Sequence, residues 1–168
     1  MRVFLALAVI APAALSHTFV DIAPRAVVGC DEVKGMSRSP SSGTRVVLGR
    51  IALPPRRLPG SPNYAPTANK PLPYFAKWGV EVRSGRTPVD LVVPRRWRGR
   101  LALGWGDRGP QQASVVHLLG CRPVLGRQWL GYAGGFFLRA PACVAVDVRV
   151  GDKRRRIPLG IGVDCGRA

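Results

Sequence analysis

Short apolar runs separated by glycine and proline dominate this chain and restrict the folds open to it. The runs are rich in β-branched and aromatic residues, and they recur about every ten residues, a spacing typical of β-sandwiches and barrels. They occupy residues 45–53, 75–83, 88–94, 100–106, 114–121, 134–139, 143–150 and 156–163. They predict an all-β fold: an antiparallel β-sandwich of immunoglobulin-like, two-sheet architecture with about eight short strands. A small closed β-barrel is the alternative, because the sequence does not show whether the sheet edges meet.

Several runs alternate between apolar and polar residues. In residues 143–150, for example, Val144, Val146 and Val148 share one face, and Asp147 and Arg149 lie on the other. Such alternation predicts strands with one buried and one solvated side, as in antiparallel sheets.

Two stretches lack this pattern. Residues 54–73 contain seven prolines and predict a long extended loop across a sheet. Residues 122–133 predict a second loop, in which Trp129 and Tyr132 cap one end of the core. No internal repeat is found.

Two glycines precede two phenylalanines in the sequence GGFFL at 134–138. This pattern predicts a β-bulge or a close approach of two backbones, leading into an edge strand. Phe136 and Leu138 are expected to face the core, and Phe137 to pack in the core or an interface.

The N-terminus carries an apolar run from Val3 to Leu15. This run is shorter than the roughly 20 residues that span a bilayer, and it is typical of a secretory signal with cleavage after Ser16. An uncleaved anchor is the alternative, which Asp21 disfavours. We therefore expect a signal peptide at 1–16, an N-terminal segment at 17–44 and one β-sandwich domain at 45–165, secreted or associated with the cell envelope.

The cysteines, an even number in an exported chain, predict two disulfide bonds. A two-residue turn at Gly151 and Asp152 keeps the valines of 143–150 in phase with the last strand and places Cys143 opposite Gly160. On an extended strand Cys165 would then lie about 16 Å from Cys143, beyond the roughly 7 Å that a disulfide allows, unless the tail folds back.

This geometry disfavours a Cys143–Cys165 bond. The expected pairs are Cys121–Cys143 and Cys30–Cys165, and the alternative is Cys30–Cys143 with Cys121–Cys165.

The formal net charge of the chain is +17, with 22 arginines but only 4 lysines. Phosphate-binding proteins often use both residues. A strong preference for arginine over lysine is instead typical of a GC-rich genome, so the charge is weaker evidence of function. A surface of this charge still attracts anionic polymers or lipid headgroups at low salt.

Candidate catalytic residues are few. The sequence has no GxSxG, HExxH or P-loop motif. His117 is expected to be an ordinary strand residue, Asp107 a turn residue and Asp90 an unpaired acid. Asp31 and Glu32 provide too few oxygen ligands for calcium. We therefore expect no catalytic residue, no metal and no cofactor.

The basic run at 153–156 forms the tip of the last predicted hairpin. Lys153, Arg154 and Arg155 are candidates for a weak anion contact. Arg156 is expected to lie opposite Asp147, in a surface pair worth about 0–1 kcal/mol.

The sequence resembles a family of uncharacterised secreted β-domain proteins of high-GC Gram-positive bacteria. The matching motifs are RVVLG near residue 45, PYFAKWGVEVRSG at 73–85, LLGC at 118–121, YAGGFFL at 132–138 and the tail CVAVDVRVG…IPLGIGVDC. Together they span about residues 30 to 165. The resemblance implies export and a single β-domain, and it implies no activity.

These observations predict a secreted, disulfide-stabilised β-sandwich that acts as a non-catalytic binding or envelope-associated module. The alternative is an envelope polyanion-binding protein, followed by a secreted hydrolase or an enzyme inhibitor. Expected partners are an anionic envelope polymer or another extracellular protein. We expect no binding to a specific nucleic-acid sequence. Contact with a membrane is expected only if the signal is not cleaved.

Overall fold

The structure is a computed structural model that describes residues 22–60, 71–106 and 111–165. These residues form fourteen strands and two short 3-10 turns, Cys30–Glu32 and Arg95–Trp97. The strands are β1 (Ala26–Val28), β2 (Gly35–Ser37), β3 (Arg45–Val47), β4 (Ile51–Leu53), β5 (Arg57–Leu58), β6 (Tyr74–Lys77), β7 (Val80–Arg83), β8 (Val89–Val92), β9 (Leu101–Trp105), β10 (Val115–Leu118), β11 (Trp129–Tyr132), β12 (Gly134–Leu138), β13 (Ala142–Val150) and β14 (Lys153–Ile161). The predicted signal peptide at 1–16 lies outside the described residues.

The largest sheet has six strands in the order β1-β10-β8-β13-β14-β5. Its two edge strands run parallel to their neighbours, β1 to β10 and β5 to β14, and the inner pairs are antiparallel. Because β8 lies between β10 and β13, strands that are distant in sequence become direct neighbours. This sheet carries the candidate site described below.

A second sheet has the order β2-β11-β7-β4-β3, and a third the order β6-β12-β9. Only Trp78 and Gly79 separate β6 from β7, and only Ala133 separates β11 from β12. The amide of Trp78 donates to the carbonyl of Gly134 at 2.8 Å across this break. The two sheets are therefore the halves of one bent hairpin, extended on both sides.

The predicted all-β sandwich is confirmed. The described strands form three sheets where the sequence predicted two, because the break at residues 78–79 and 133 divides one ladder. The alternative of a closed barrel is wrong for the described residues, since none of their sheets closes on itself.

One apolar core joins all three sheets. The alternation in β13 places Val144, Val146 and Val148 in this core, as predicted. The opposite face of the central strand β12 contributes to a smaller cluster, in which Phe137 packs on Phe75 with ring centroids 4.7 Å apart. In β12 and β13 alternate residues thus point to opposite faces of the sheet, as the strand period of two requires.

The glycine pair at 134–135 marks a close backbone approach, as predicted. A Cβ atom on Gly135 would lie 2.2 Å from the carbonyl oxygen of Ala76 on the neighbouring strand. The prediction of an edge strand is wrong, because β12 lies between β6 and β9. Phe136 and Leu138 are buried in the main core, as predicted.

The stretch 122–133, predicted as a loop, contains strand β11. Trp129 and Tyr132 are buried, at 7% and 1% exposure, but they lie in a strand that pairs with β2 and β7. The glycines and arginines of this stretch interrupt the apolar alternation that would predict a strand.

The other irregular stretches also supply strands. The N-terminal segment 17–44 contains β1 and β2, which extend the first and second sheets. The proline-rich stretch 54–73 contains β5, which pairs with the edge of β14, and residues 61–70 lie outside the described residues.

The last hairpin has the predicted register. Its turn is formed by Gly151 and Asp152, and Cys143 lies opposite Gly160. Val146 pairs with Ile157, as the alternation requires.

The predicted disulfide pairing is wrong. The structure joins Cys30 to Cys121 and Cys143 to Cys165, whose Cα atoms are 5.7 and 5.6 Å apart. Only a chain that stays extended after β14 would keep Cys165 out of reach of Cys143. Instead Gly162 adopts a left-handed conformation, with φ of 69°, and the chain folds back so that Cys165 reaches Cys143.

Candidate anion-binding face

The outer face of the six-stranded sheet carries a row of five paired side chains, four of which are polar. Directly paired residues share a face, so the register places Val27, His117, Asp90, Arg149 and Arg154 side by side across five strands. We call the side of this sheet that bears the row the outer face. It is the solvated counterpart of the valine-rich inner face.

The expectation that Asp90 is an unpaired acid is wrong, because Asp90 pairs with His117. The Nδ1 atom of His117 lies 2.6 Å from Oδ1 of Asp90, and a guanidinium nitrogen of Arg25 lies 3.6 Å from the same oxygen. Along its own strand, His117 is flanked on this face by Val115 and Leu119, which carry no nucleophile. The contact with Asp90 therefore orients the imidazole.

Asp147 organises the basic hairpin. It pairs with Arg156 in the predicted register, and the Nε atom of Arg156 donates to its Oδ1 at 2.8 Å. The sequence missed the second partner, Arg154, whose Nη2 atom donates to Oδ2. The side chain of Asp147 is only 1% exposed. The pair is therefore more than the weak surface contact expected from sequence.

The charge on Asp147 is held by these two arginines. Burial alone would raise its pKa, but the hydrogen bonds and charges of Arg156 and Arg154 outweigh burial and hold the pKa below its usual value. The hydrogen bond that Arg156 donates to Asp147, and then the charge of Asp147, raise the pKa of Arg156 in turn. The proposed anion contacts Lys153 and Arg155 are exposed, whereas Arg154 is engaged with Asp147.

A hollow of about 580 Å³ lies further along the same face. Its floor includes Ala145 and Pro158, which pair across β13 and β14, and the next pair on this face, Cys143 and Gly160. The small side chains at these positions leave open space, whereas long arginine side chains cover the same face nearer the turn. The hollow is therefore a direct result of where the sheet carries small residues.

Three arginines surround this floor. Arg57 on β5 and Arg56 beside it line one side, and Arg96 on the 3-10 turn after β8 also lines the hollow. The acid in the lining is Asp164, which lies 3.8 Å from Arg57, with both side chains well exposed. The lining thus has an excess of positive charge over an apolar floor.

A fourth arginine approaches from the second sheet. Arg45 donates from Nη2 to the carbonyl of Pro158 at 2.9 Å. Burial and the charge on Arg56 lower the pKa of Arg45. Arg45 thus adds positive charge near Arg56, one of the arginines that line the hollow.

The C-terminal tail folds back and forms another side of the hollow. A Cβ atom on Gly160 would lie 2.7 Å from the Sγ atom of Cys165 and 2.5 Å from the carbonyl oxygen of Val163. Glycine at 160 therefore permits the tail to lie over the strand, and the Cys143–Cys165 bond holds it there.

Aromatic support holds the Arg96 side of the hollow. Arg100 lies over the ring of Trp97 at 4.9 Å, and its Nη2 atom donates to the carbonyl of Arg96 at 2.8 Å. This brace positions the short turn that presents Arg96.

A second hollow, of about 520 Å³, lies on the second sheet. It is lined by Trp78 and Lys34 among others, and its acid, Glu81, accepts hydrogen bonds from the amide and hydroxyl of Ser41 at 2.7 Å. It lacks the arginine cluster of the first hollow.

Glu32, another acid singled out from sequence, is engaged with the backbone. Glu32 is 8% exposed and accepts a hydrogen bond from the amide of Gly29 at 2.9 Å. In the described residues no group of three or more His, Cys, Asp or Glu could hold a metal ion. Asp107 lies outside the described residues.

Comparisons with protein-family models, with curated proteins and with solved structures give no significant match. Within residues 22–60, 71–106 and 111–165, no helix is long and apolar enough to span a membrane.

Proposed function

We propose that this chain is a secreted, non-catalytic binding module that holds a phosphate-bearing polymer of the cell envelope in the arginine-rimmed hollow. The observation that carries the proposal is the lining itself, in which Arg56, Arg57 and Arg96 surround an apolar floor. Guanidinium groups bind phosphate oxygens through two parallel hydrogen bonds, so an arginine lining suits a phosphate-bearing ligand.

The disulfides support the proposed extracellular location. Two bonded cysteine pairs indicate an oxidising, extracellular environment. The net charge of +17 adds long-range attraction for a polyanion, whereas the hollow supplies a specific place for it to bind. Secretion itself is part of the proposal.

The hollow also favours binding over hydrolysis. Catalysis of ester or glycoside cleavage needs a nucleophile or two facing carboxylates. The hollow is lined by arginines, apolar residues and a disulfide, with Asp164 as its acid, already beside Arg57. The polymer is therefore expected to be held without being cleaved.

Equilibrium binding to a poly(glycerol phosphate) chain tests the proposal. We expect the affinity to fall roughly tenfold or more between about 50 and 200 mM salt, because each phosphate contact releases counterions. A neutral polysaccharide of similar length should not bind. Binding that is indifferent to salt, or equal for the neutral polymer, would contradict the proposal, as would cleavage of the polymer by the protein.

A further inference from the structure

The tetrapeptide Val-Leu-Gly-Arg occurs twice in this chain, at residues 47–50 and 124–127, and each copy forms a tight turn. In both copies the amide of the arginine donates to the carbonyl of the valine, at 3.0 and 2.9 Å. In both, leucine and glycine have positive φ, 51° and 66° in the first copy and 50° and 71° in the second. The two turns therefore share sequence, hydrogen bond and backbone shape.

The two leucines differ in what they contact. Leu48, in the first turn, is half-buried and packs against the main core. Leu125, in the second, is 91% exposed. A branched residue in the left-handed region is strained, and Asn or Gly is favoured there. Packing compensates Leu48 for this strain, and nothing in the described part of the chain compensates Leu125.

The second turn projects from the fold and is anchored at both ends. Its base is fixed on one side by Cys121, which is bonded to Cys30, and on the other by the amide of Gln128, which donates to the carbonyl of Ser37 at 3.0 Å. The backbone that carries the exposed leucine is thus anchored at both ends, which limits the backbone entropy lost when the leucine docks.

The surroundings of Leu125 are apolar at the tip and cationic at the sides. Val124 is 43% exposed and Met36 37% exposed. Arg122 is exposed, and Arg127, also exposed, donates from Nη1 to the carbonyl of Met36 at 2.9 Å. We call residues 122–127 the apolar tip.

We propose that the apolar tip inserts into the interfacial region of a bilayer that contains anionic lipid. A single projecting leucine suits a bilayer because lipid needs no shape-matched pocket, whereas a stable protein interface buries about 1,200 Å² or more. Arginines beside an inserted apolar side chain lie at the level of the headgroup phosphates. This is a route to the membrane independent of any uncleaved signal.

Co-sedimentation of the disulfide-bonded protein with phosphatidylcholine vesicles containing about one third phosphatidylglycerol tests this proposal. The substitution Leu125→Asn is expected to lower the apparent affinity at least roughly tenfold, because the inserted apolar area is lost. Its melting temperature should stay the same or rise, since asparagine suits the turn. Arg122→Ser is expected to weaken binding roughly fivefold.

The matched variant Leu48→Asn serves as the structural control. It is expected to lower the melting temperature and to leave the vesicle affinity of the folded fraction unchanged.

Three results would overturn the proposal. The first is a wild-type protein that does not bind the vesicles, and the second is equal binding by Leu125→Asn. The third is loss of vesicle binding in Leu125→Asn together with conversion of a wild-type dimer to a monomer, which would assign the apolar tip to self-association.

Discussion

The double substitution Cys30→Ala/Cys121→Ala is expected to lower the free energy of unfolding by about 4–5 kcal/mol. This disulfide joins residues 91 positions apart, so it restricts most of the unfolded chain. It also ties the 3-10 turn after β1 to the end of β10, where the first sheet begins its crossover to the second. Urea denaturation of the oxidised wild type and the variant measures the difference.

The second disulfide provides the matched control. Cys143→Ala/Cys165→Ala opens a link between residues only 22 apart, and we expect a loss of about 3 kcal/mol. A peptide map without reductant should show the same two pairs. A larger loss from the shorter link would contradict the dependence on loop length, and a map that joins Cys121 to Cys143 would contradict the structure.

The substitution Asp147→Asn is expected to cost about 2 kcal/mol at neutral pH, because a buried carboxylate loses charged hydrogen bonds to Arg154 and Arg156. The cost should depend on pH. The pKa of Asp147 is lowered in the folded state, so its stabilisation is complete above the unfolded value of about 3.9 and is lost as pH falls through the lower folded value.

Denaturation measured from about pH 7 down to pH 2 tests this prediction. The wild type and Asp147→Asn should converge in stability at the acid end. Asp152→Asn, in the exposed turn of the same hairpin, should change stability by less than about 0.5 kcal/mol at any pH. A gap between wild type and Asp147→Asn that stays constant with pH would refute the assignment.

The local parts of the fold could be predicted from sequence. Alternation with a period of two residues, together with one turn, gave the pairing of Val146 with Ile157 and of Cys143 with Gly160. These depend on neighbouring residues in one hairpin. The close backbone approach at Gly135 was indicated by the glycine pair itself, although its partner Ala76 is distant in sequence.

The path of the tail could not be predicted from that register. It depends on Gly162, whose positive φ reverses the chain, and on Gly160, which leaves room for Cys165. Two glycines separated by one residue just before a cysteine were the available signal. Their steric meaning appears only once the strand partner is known.

The candidate site depends on contacts between distant parts of the chain. Asp90 meets His117 because β8 and β10 are neighbours although β9 lies between them in sequence. Arg57 reaches the hollow because β5 runs parallel to β14 at the sheet edge, and the stretch that contains β5 predicted a loop. No periodic pattern within one segment encodes such pairings.

Binding of poly(glycerol phosphate) to paired arginine variants tests the proposed site most directly. Arg57→Ala/Arg96→Ala removes two charges from the lining of the hollow, and Arg38→Ala/Arg86→Ala removes two exposed charges outside it. At constant low salt, we expect the first variant to lose affinity roughly tenfold or more, and the second less than about threefold. Equal losses in the two variants would show that net charge, and not the hollow, holds the polymer.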